Sequence, residues 1–300
     1  MTSSAVVTTV GRMSSIALGS PLVSTQWLAD HLGADDLVVL DATVLPSSGP
    51  GGGYVSGHEH YILTGHLPGA LFADLLEEFS DPDGRHPFTR PSASRFAAAA
   101  GALGIDNSTT VVVYDWAIGQ WASRVWWLFR TFGYDEVAVL DGGLKKWIAE
   151  GRETDIGHRE PTPATFTPVE RPELWADKAY VEGVVRGEVD AALICAVPPK
   201  EFSGEAQTRA RAGVIPGSIS VPASRLVDRD SNAYLDQSEL RAALAPALTG
   251  SRVVTYCGGG IAAASDALAL ILLGEQNVAV YDGSLNEWVA DPQAALSVGV

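Results

Sequence analysis

Four segments in the first half of this 300-residue chain recur in the same order in its second half, a duplication that constrains the fold more than any other feature. "LVVLDAT" (37–43) answers to "ALICAVP" (192–198), and "GHLPGALFAD" (65–74) to "GVIPGSISVP" (213–222). "TVVVYD" (110–115) answers to "RVVTYC" (252–257), and "VAVLDGGLKKW" (137–147) to "VAVYDGSLNEW" (278–288). Two domains of one architecture are therefore expected. The break between them falls in "GRETDIGHREPTPATFTPVERPE" (151–173), where four prolines interrupt any periodic pattern. The reading is a flexible tail over 1–22, a first domain over 23–150, a linker over 151–173 and a second domain over 174–300.

Within each copy, short aliphatic runs alternate with helical patterns. Val111-Val112-Val113 and Val137-Ala138-Val139-Leu140 are continuous and apolar, as strands buried on both faces of a parallel sheet are. Between them, "PSASRFAAAAGALG" and "ASRVWWLFRTFG" carry apolar residues at helical spacing and stop at glycine. "DQSELRAALAPAL" and "AAASDALALILLG" repeat this in the second copy. The fold class is α/β, with a parallel sheet flanked by helices in each domain.

The chemistry concentrates where the copies differ. Cys257 follows the run Val253–Tyr256 and precedes Gly258, Gly259, Gly260, Ile261 and Ala262, after which a helix is expected. That puts it at the carboxyl end of a parallel strand, where open α/β sheets bind ligands. Glycine N–H groups can converge there as an anion nest, backed by the positive end of the helix. A cysteine so placed is favoured as thiolate and acts as a nucleophile. The first copy has Asp115 at this position. The acidic balance, −16 at pH 7, argues against nucleic-acid and membrane partners. Cys195 and Cys257 are too few for a disulfide framework or a cysteine zinc site, so reduced thiols in a cytoplasmic protein are expected. His58 and His60 do not amount to a metal site. The tryptophans Trp126, Trp127, Trp147 and Trp288 read as core, whereas Trp116 and Trp121 read as lining an interdomain cleft.

These repeats, the paired "DGG" and "DGS" motifs and the loop "CGGGIAA" resemble the two-domain rhodanese family of thiosulfate and 3-mercaptopyruvate sulfurtransferases. The resemblance spans about Ser24 to Trp288 and implies two tandem rhodanese-like domains, the first a non-catalytic copy. It implies that Cys257 accepts a sulfur atom from a small anionic donor, holds it as a persulfide on the loop from Gly258 to Ala262, and yields it to a thiol or cyanide by double displacement. No cofactor or metal is implied. The neutral Gly258 and Gly259 lie closer to the "CGSG" of mercaptopyruvate members than to the "CRKG" of thiosulfate members, but without the serine hydroxyl. Glu201 stands where the family carries an arginine for the donor anion, so another cation is needed; Arg209 and Arg211 are the candidates. Val197 and Val214 replace polar residues, with His66 at the first-copy counterpart of Val214. Asp41, counterpart of Cys195, and His66 read as hydrogen-bonded structural groups. A phosphatase on this fold would need an arginine closing the loop, where Ile261-Ala262-Ala263 stands. A degenerate module that carries persulfide or binds protein without efficient turnover is the other alternative.

Overall fold

The computed structural model describes residues 16–49 and 52–298. Two five-stranded parallel sheets follow one plan. Across the first, the order is Leu22–Val23, Val137–Leu140, Thr110–Tyr114, Leu37–Asp41 and Leu71–Phe72. Across the second it is Trp175–Ala176, Val278–Tyr281, Arg252–Tyr256, Ala191–Cys195 and Ile219–Ser220. Every strand pairing in both sheets is parallel. The apolar runs explain this, because all five residues of Thr110–Tyr114 and four of the five of Arg252–Tyr256 are buried.

The register makes the duplication quantitative. Asp41 pairs with Tyr114 at the end of one central strand pair, and Cys195 pairs with Tyr256 at the end of the other. The two tyrosine hydroxyls repeat a bond as well, accepting the N–H of Leu67 at 3.1 Å and of Ile215 at 3.2 Å. Helices form where the periodicity predicts them: Ala93–Ala102, Gln120–Thr131, Gln237–Leu244 and Ala262–Leu272. Ser92 caps the first of these by accepting from the N–H of Arg95, and Asp236 opens the third with a capping box closed by Glu239. No helix among the described residues is long and apolar enough to cross a membrane.

The expected tail behaves differently along its length. Residues 1–15 lie outside the described residues, whereas Ile16 is buried and Leu22 joins the edge of the first sheet against Val139. The segment 151–173 has no helix or strand until Pro172, yet it is bound to the first domain. Asp155 bridges His66, the N–H groups of Ala164 and Val169 bond the carbonyls of Gly101 and Phe132, and Phe166 is buried among Phe96, Phe129 and Tyr134. Its prolines exclude regular structure without making it free.

The two domains meet through the Gln120–Thr131 and Ala262–Leu272 helices. The contact is reciprocal: Asp141 accepts the backbone N–H of Tyr234 in the second domain at 2.8 Å, and its counterpart Asp282 accepts that of Arg90 in the first at 2.9 Å. Each "DG" motif thus holds a long loop of the other copy. Trp126, Trp127, Trp147 and Trp288 are all buried, and the last two donate equivalent bonds, to the carbonyls of Glu153 and Ala295.

Candidate active site

Cys257 directly follows the Arg252–Tyr256 strand and is 4% exposed. Its backbone is fixed on both sides. Its carbonyl accepts from Leu285 N–H at 3.0 Å, and its N–H donates to Ser284 Oγ at 3.1 Å. Ser284 holds this position in a left-handed conformation, φ 48°, which costs a non-glycine residue about 1–2 kcal/mol. The first copy has Gly143 here, at φ 54°. Ser284 adds what glycine lacks, a hydroxyl that accepts from Cys257 and donates to the Tyr281 carbonyl at 2.8 Å.

The loop then passes through Gly258, Gly259 and Gly260 to Ile261 and enters the helix at Ala262. Gly260 is left-handed, φ 78°. Among the described residues, the N–H groups from Gly258 to Ala263 have no protein acceptor, so they are available donors beside the thiol. The other two glycines are needed for approach by neighbours. A Cβ on Gly258 would overlap Nη2 of Arg209, and one on Gly259 would lie 3.0 Å from Nδ2 of Asn286. The guanidinium and the amide therefore occupy the space that side chains at these loop positions would fill.

Arg209 is held by three side chains. Its Nη1 is ion-paired with Glu201 and bonded to Thr208 Oγ1 at 3.0 Å, and its Nε donates to Asn286 Oδ1 at 3.2 Å. Burial lowers the pKa of its guanidinium, an effect that Cys257, Cys195 and Tyr54 oppose. Glu201, expected to repel a donor anion, is instead half of this pair. Arg211 is a correction to the sequence reading. Its Nη1 and Nη2 bond the carbonyls of Asp291 at 2.6 Å and Ala294 at 2.7 Å, anchoring the C-terminal segment away from the cavity.

A cavity of about 490 Å³ opens over Cys257 between the domains. The second domain contributes Val197, Glu201, Arg209, the loop and Asn286; the first contributes Tyr54, Phe88 and Trp121. These three rings contact one another at centroid distances of 5.1–5.5 Å. Trp116, expected beside Trp121, lies against His60 instead and is outside the cavity. The first domain also braces the loop from behind. Arg124, 1% exposed, donates to Gly260 O at 3.4 Å, to Phe88 O at 2.8 Å and to Asp282 Oδ1 at 2.5 Å. Its guanidinium lies 5.1 Å from the Trp175 ring.

The other flagged residues lie outside the cavity, in packed or hydrogen-bonded surroundings. His66 is buried, stacked on Tyr61 and bonded to its carbonyl through Nδ1. Asp41 accepts from the N–H of Thr43 at 2.9 Å, and burial pushes its pKa up to about 6. Burial pushes the Cys195 thiol up to about 12, with Tyr256 and Val197 hydrogen bonds acting the other way. His58 contacts Tyr61, Phe72 and His158, and no metal-ligating group of three residues is found among the described residues. Four residues escaped the sequence reading: Ser284, Asn286, Arg124 and Asp266. Asp266, fully buried on the helix after the loop, has no hydrogen-bond partner among the described residues, and burial raises its pKa well above the usual carboxylate value. Only the alignment of "DGGLKK" with "DGSLNE" could have flagged the first two, as polar side chains replacing Gly143 and Lys145.

Known proteins of this architecture share its length as well as its domains. The chain is 34% identical to thiosulfate/3-mercaptopyruvate sulfurtransferase 2 of Arabidopsis thaliana, over 92% of this chain and 86% of that protein. It is 33% identical to thiosulfate sulfurtransferase of Gallus gallus, over 92% and 96%. The crystal structure of SseA from Escherichia coli, described among 3-mercaptopyruvate sulfotransferases, superposes with a TM-score of 0.78 at 30% identity, over 88% of this chain and 98% of that one. The family model of the rhodanese-like domain matches residues 24–150 and again 186–291, and the chain belongs to the rhodanese family, with two copies of its domain.

Proposed function

We propose that this protein is a sulfurtransferase that moves a sulfane sulfur from thiosulfate or 3-mercaptopyruvate to a thiol or cyanide through a persulfide on Cys257. One observation carries the assignment to this residue. In the second copy a thiol sits beside loop N–H donors that have no protein acceptor among the described residues, whereas in the first copy Asp115 fills the corresponding loop with its own carboxylate. A carboxylate carries no sulfane sulfur, so a single centre is expected.

In the first half-reaction the Cys257 thiolate attacks the outer sulfur of the donor, whose S–S or C–S bond breaks, and sulfite or the enolate of pyruvate leaves. The N–H groups from Gly258 to Ala262 then hold the persulfide anion. Arg209 is proposed to receive the donor's charge through Nη2, which lies against Gly258 and has no protein acceptor among the described residues. In the second half-reaction the acceptor takes the outer sulfur and Cys257 returns to thiolate. The free state of both cysteines suits a reducing, cytoplasmic setting.

The test is a pair of measurements. Thiosulfate or 3-mercaptopyruvate should add the mass of one sulfur atom to the intact protein, and cyanide should remove it as thiocyanate with parallel-line kinetics. Cys257→Ser should abolish both, and Cys195→Ser should leave turnover nearly unchanged. No adduct and no thiocyanate with either donor would overturn the enzyme reading and leave the degenerate module in its place.

A further inference from the structure

The glycines after Cys257 offer the cavity backbone donors but no side chain, and a side chain from another element fills that gap. Asn286 stands on the Ser284–Ala290 helix, which follows the Val278–Tyr281 strand. Its backbone N–H donates to the Gly258 carbonyl at 2.9 Å, so the residue is tied to the loop, and its half-buried side chain lines the cavity. The amide has one orientation. A guanidinium only donates, so the atom that faces Arg209 Nε at 3.2 Å is the carbonyl oxygen, Oδ1. Nδ2 is then turned to the loop, 3.0 Å from where a Cβ on Gly259 would stand, and has no protein acceptor among the described residues.

Two free donors therefore lie on adjacent loop positions, Arg209 Nη2 against Gly258 and Asn286 Nδ2 against Gly259. One is charged and the other neutral. They are joined through Nε and Oδ1, and Arg209 is held in turn by Glu201, so both are fixed before a ligand arrives. Neighbouring N–H donors of this kind suit two oxygens of one anionic group. We propose that Asn286 is a specificity-determining residue of the sulfur-loading step, a role that rests on the sulfurtransferase reading. Its Nδ2 donates to an oxygen of the sulfur donor's leaving portion while Arg209 Nη2 receives the charge.

The space at Gly259 explains why the group comes from outside the loop. Apart from Asn286, the nearest atom to a Cβ there is the Pro87 carbonyl oxygen at 3.6 Å, an ordinary contact. A side chain at position 259 and the amide of Asn286 are thus alternative fillings of one space, and each excludes the other.

The experiment separates loading from discharge. Persulfide formation on Cys257 is followed by intact mass with thiosulfate, with 3-mercaptopyruvate and with sodium polysulfide, which carries no oxygen; discharge is followed with cyanide. Asn286→Ala should lower the second-order rate constant of loading by the more active oxygen-bearing donor roughly tenfold, about 1.4 kcal/mol. Polysulfide loading and cyanide discharge should stay nearly unchanged. Asn286→Asp keeps an oxygen for Arg209 Nε but loses the N–H donor, so it should lose at least as much. Gly259→Ser alone should slow loading, because its Cβ meets Nδ2, yet added to Asn286→Ala it should restore part of the loss by supplying a hydroxyl in the vacated space. Three results would overturn the proposal and leave the sulfurtransferase reading intact: an Asn286→Asp variant as active as wild type, Asn286→Ala losses shared equally by polysulfide and cyanide, or a Gly259→Ser change that harms both backgrounds. Wild-type protein that takes no sulfur from either oxygen-bearing donor would instead overturn the underlying reading.

Discussion

The two copies of the domain place a loop between the same strand and the same helix and fill it in opposite ways. After the Thr110–Tyr114 strand, the Asp115 carboxylate accepts the N–H groups of Gly119, Trp121 and Ala122 at 2.9–3.0 Å. After the Arg252–Tyr256 strand, Cys257 Sγ accepts no N–H group among the described residues. The backbone outside the loop is matched: Leu144 N–H donates to Asp115 O and Leu285 N–H to Cys257 O. Within it, the left-handed residue is Gly119 in one copy and Gly260, four residues earlier than Ala264 and three after the cysteine, in the other. One loop is closed on an internal anion; the other presents its donors to a cavity. Burial pushes the Asp115 carboxyl pKa up, and the hydrogen bonds from Ala122, Gly119 and Trp121 pull it back. The loops differ at every position from 115–120 to 257–262, and the first side chain of each decides whether the loop donors are satisfied from within.

The most severe way to break the comparison is to make the second loop like the first. Cys257→Asp should lower turnover by at least about 10³-fold, to background, because the nucleophile is gone. Its melting temperature should not fall, since the new carboxylate meets loop N–H donors, and charged hydrogen bonds contribute roughly 1.5–3 kcal/mol each against its burial. Thiocyanate assay and thermal denaturation read the two effects. A folded variant with a large loss of stability would show that the second loop cannot close on an anion, and that the likeness to Asp115 is superficial.

The loop itself was legible because it is contiguous: strand, cysteine, three glycines and helix lie in order along the chain, and local rules suffice. The fold was legible for the same reason, as aliphatic runs and capped helices repeat in both halves. What surrounds Cys257 was not. Arg209 and Arg211 are two residues apart in an irregular stretch, where nothing in the sequence decides that one faces the cavity and the other caps carbonyls of the C-terminal segment. Asn286, Ser284 and Arg124 arrive from other elements or from the other domain, so their roles exist only once the chain has packed. The first-copy position of Cys195 shows the same limit, since only strand register aligns it firmly with Asp41.

A second break acts across the domain boundary. Arg124 and Asp266 occupy corresponding places, nine residues after Asp115 and Cys257, yet they have opposite fates. Arg124 reaches into the second domain and donates to Gly260 O and Asp282 Oδ1 there, its Nε alone lacking a partner among the described residues, whereas neither carboxylate oxygen of Asp266 has one. Arg124→Ala leaves Asp282 Oδ1 and the Gly260 carbonyl without their Arg124 donor at a buried interface, while Asp282 Oδ2 keeps the N–H of Arg90. The expected cost is about 3–5 kcal/mol in denaturant unfolding, the range for removing one member of a buried ion pair. Activity should fall further than stability alone explains, because Gly260 belongs to the loop; persulfide formation measured well below the variant's unfolding transition checks this. If stability drops and the rate of persulfide formation does not, Arg124 joins the domains without bracing the loop.

The smallest expected effect separates Asp41 from its counterpart Cys195. Both end a central strand beside a buried tyrosine, but across neutral pH the Cys195 thiol, with its pKa near 12, stays uncharged. Asp41, with a pKa raised to about 6 chiefly by burial, must ionise in the folded protein above that pH. The unfolded chain ionises the same carboxyl near 3.8. Between these values the folded state binds more protons than the unfolded state, so this group's contribution to stability declines as pH rises through the window. It is unpenalised below about 4 and fully penalised above about 6, by roughly 3 kcal/mol. Asp41→Asn keeps an oxygen for the Thr43 N–H and removes the titration. Relative to wild type, the variant should therefore gain up to roughly 3 kcal/mol between pH 4 and pH 7, read from urea unfolding at both pH values. An unchanged difference across that range would mean that Asp41 is charged or neutral in both states alike, and that the thiol and the carboxylate at this position are energetically equivalent.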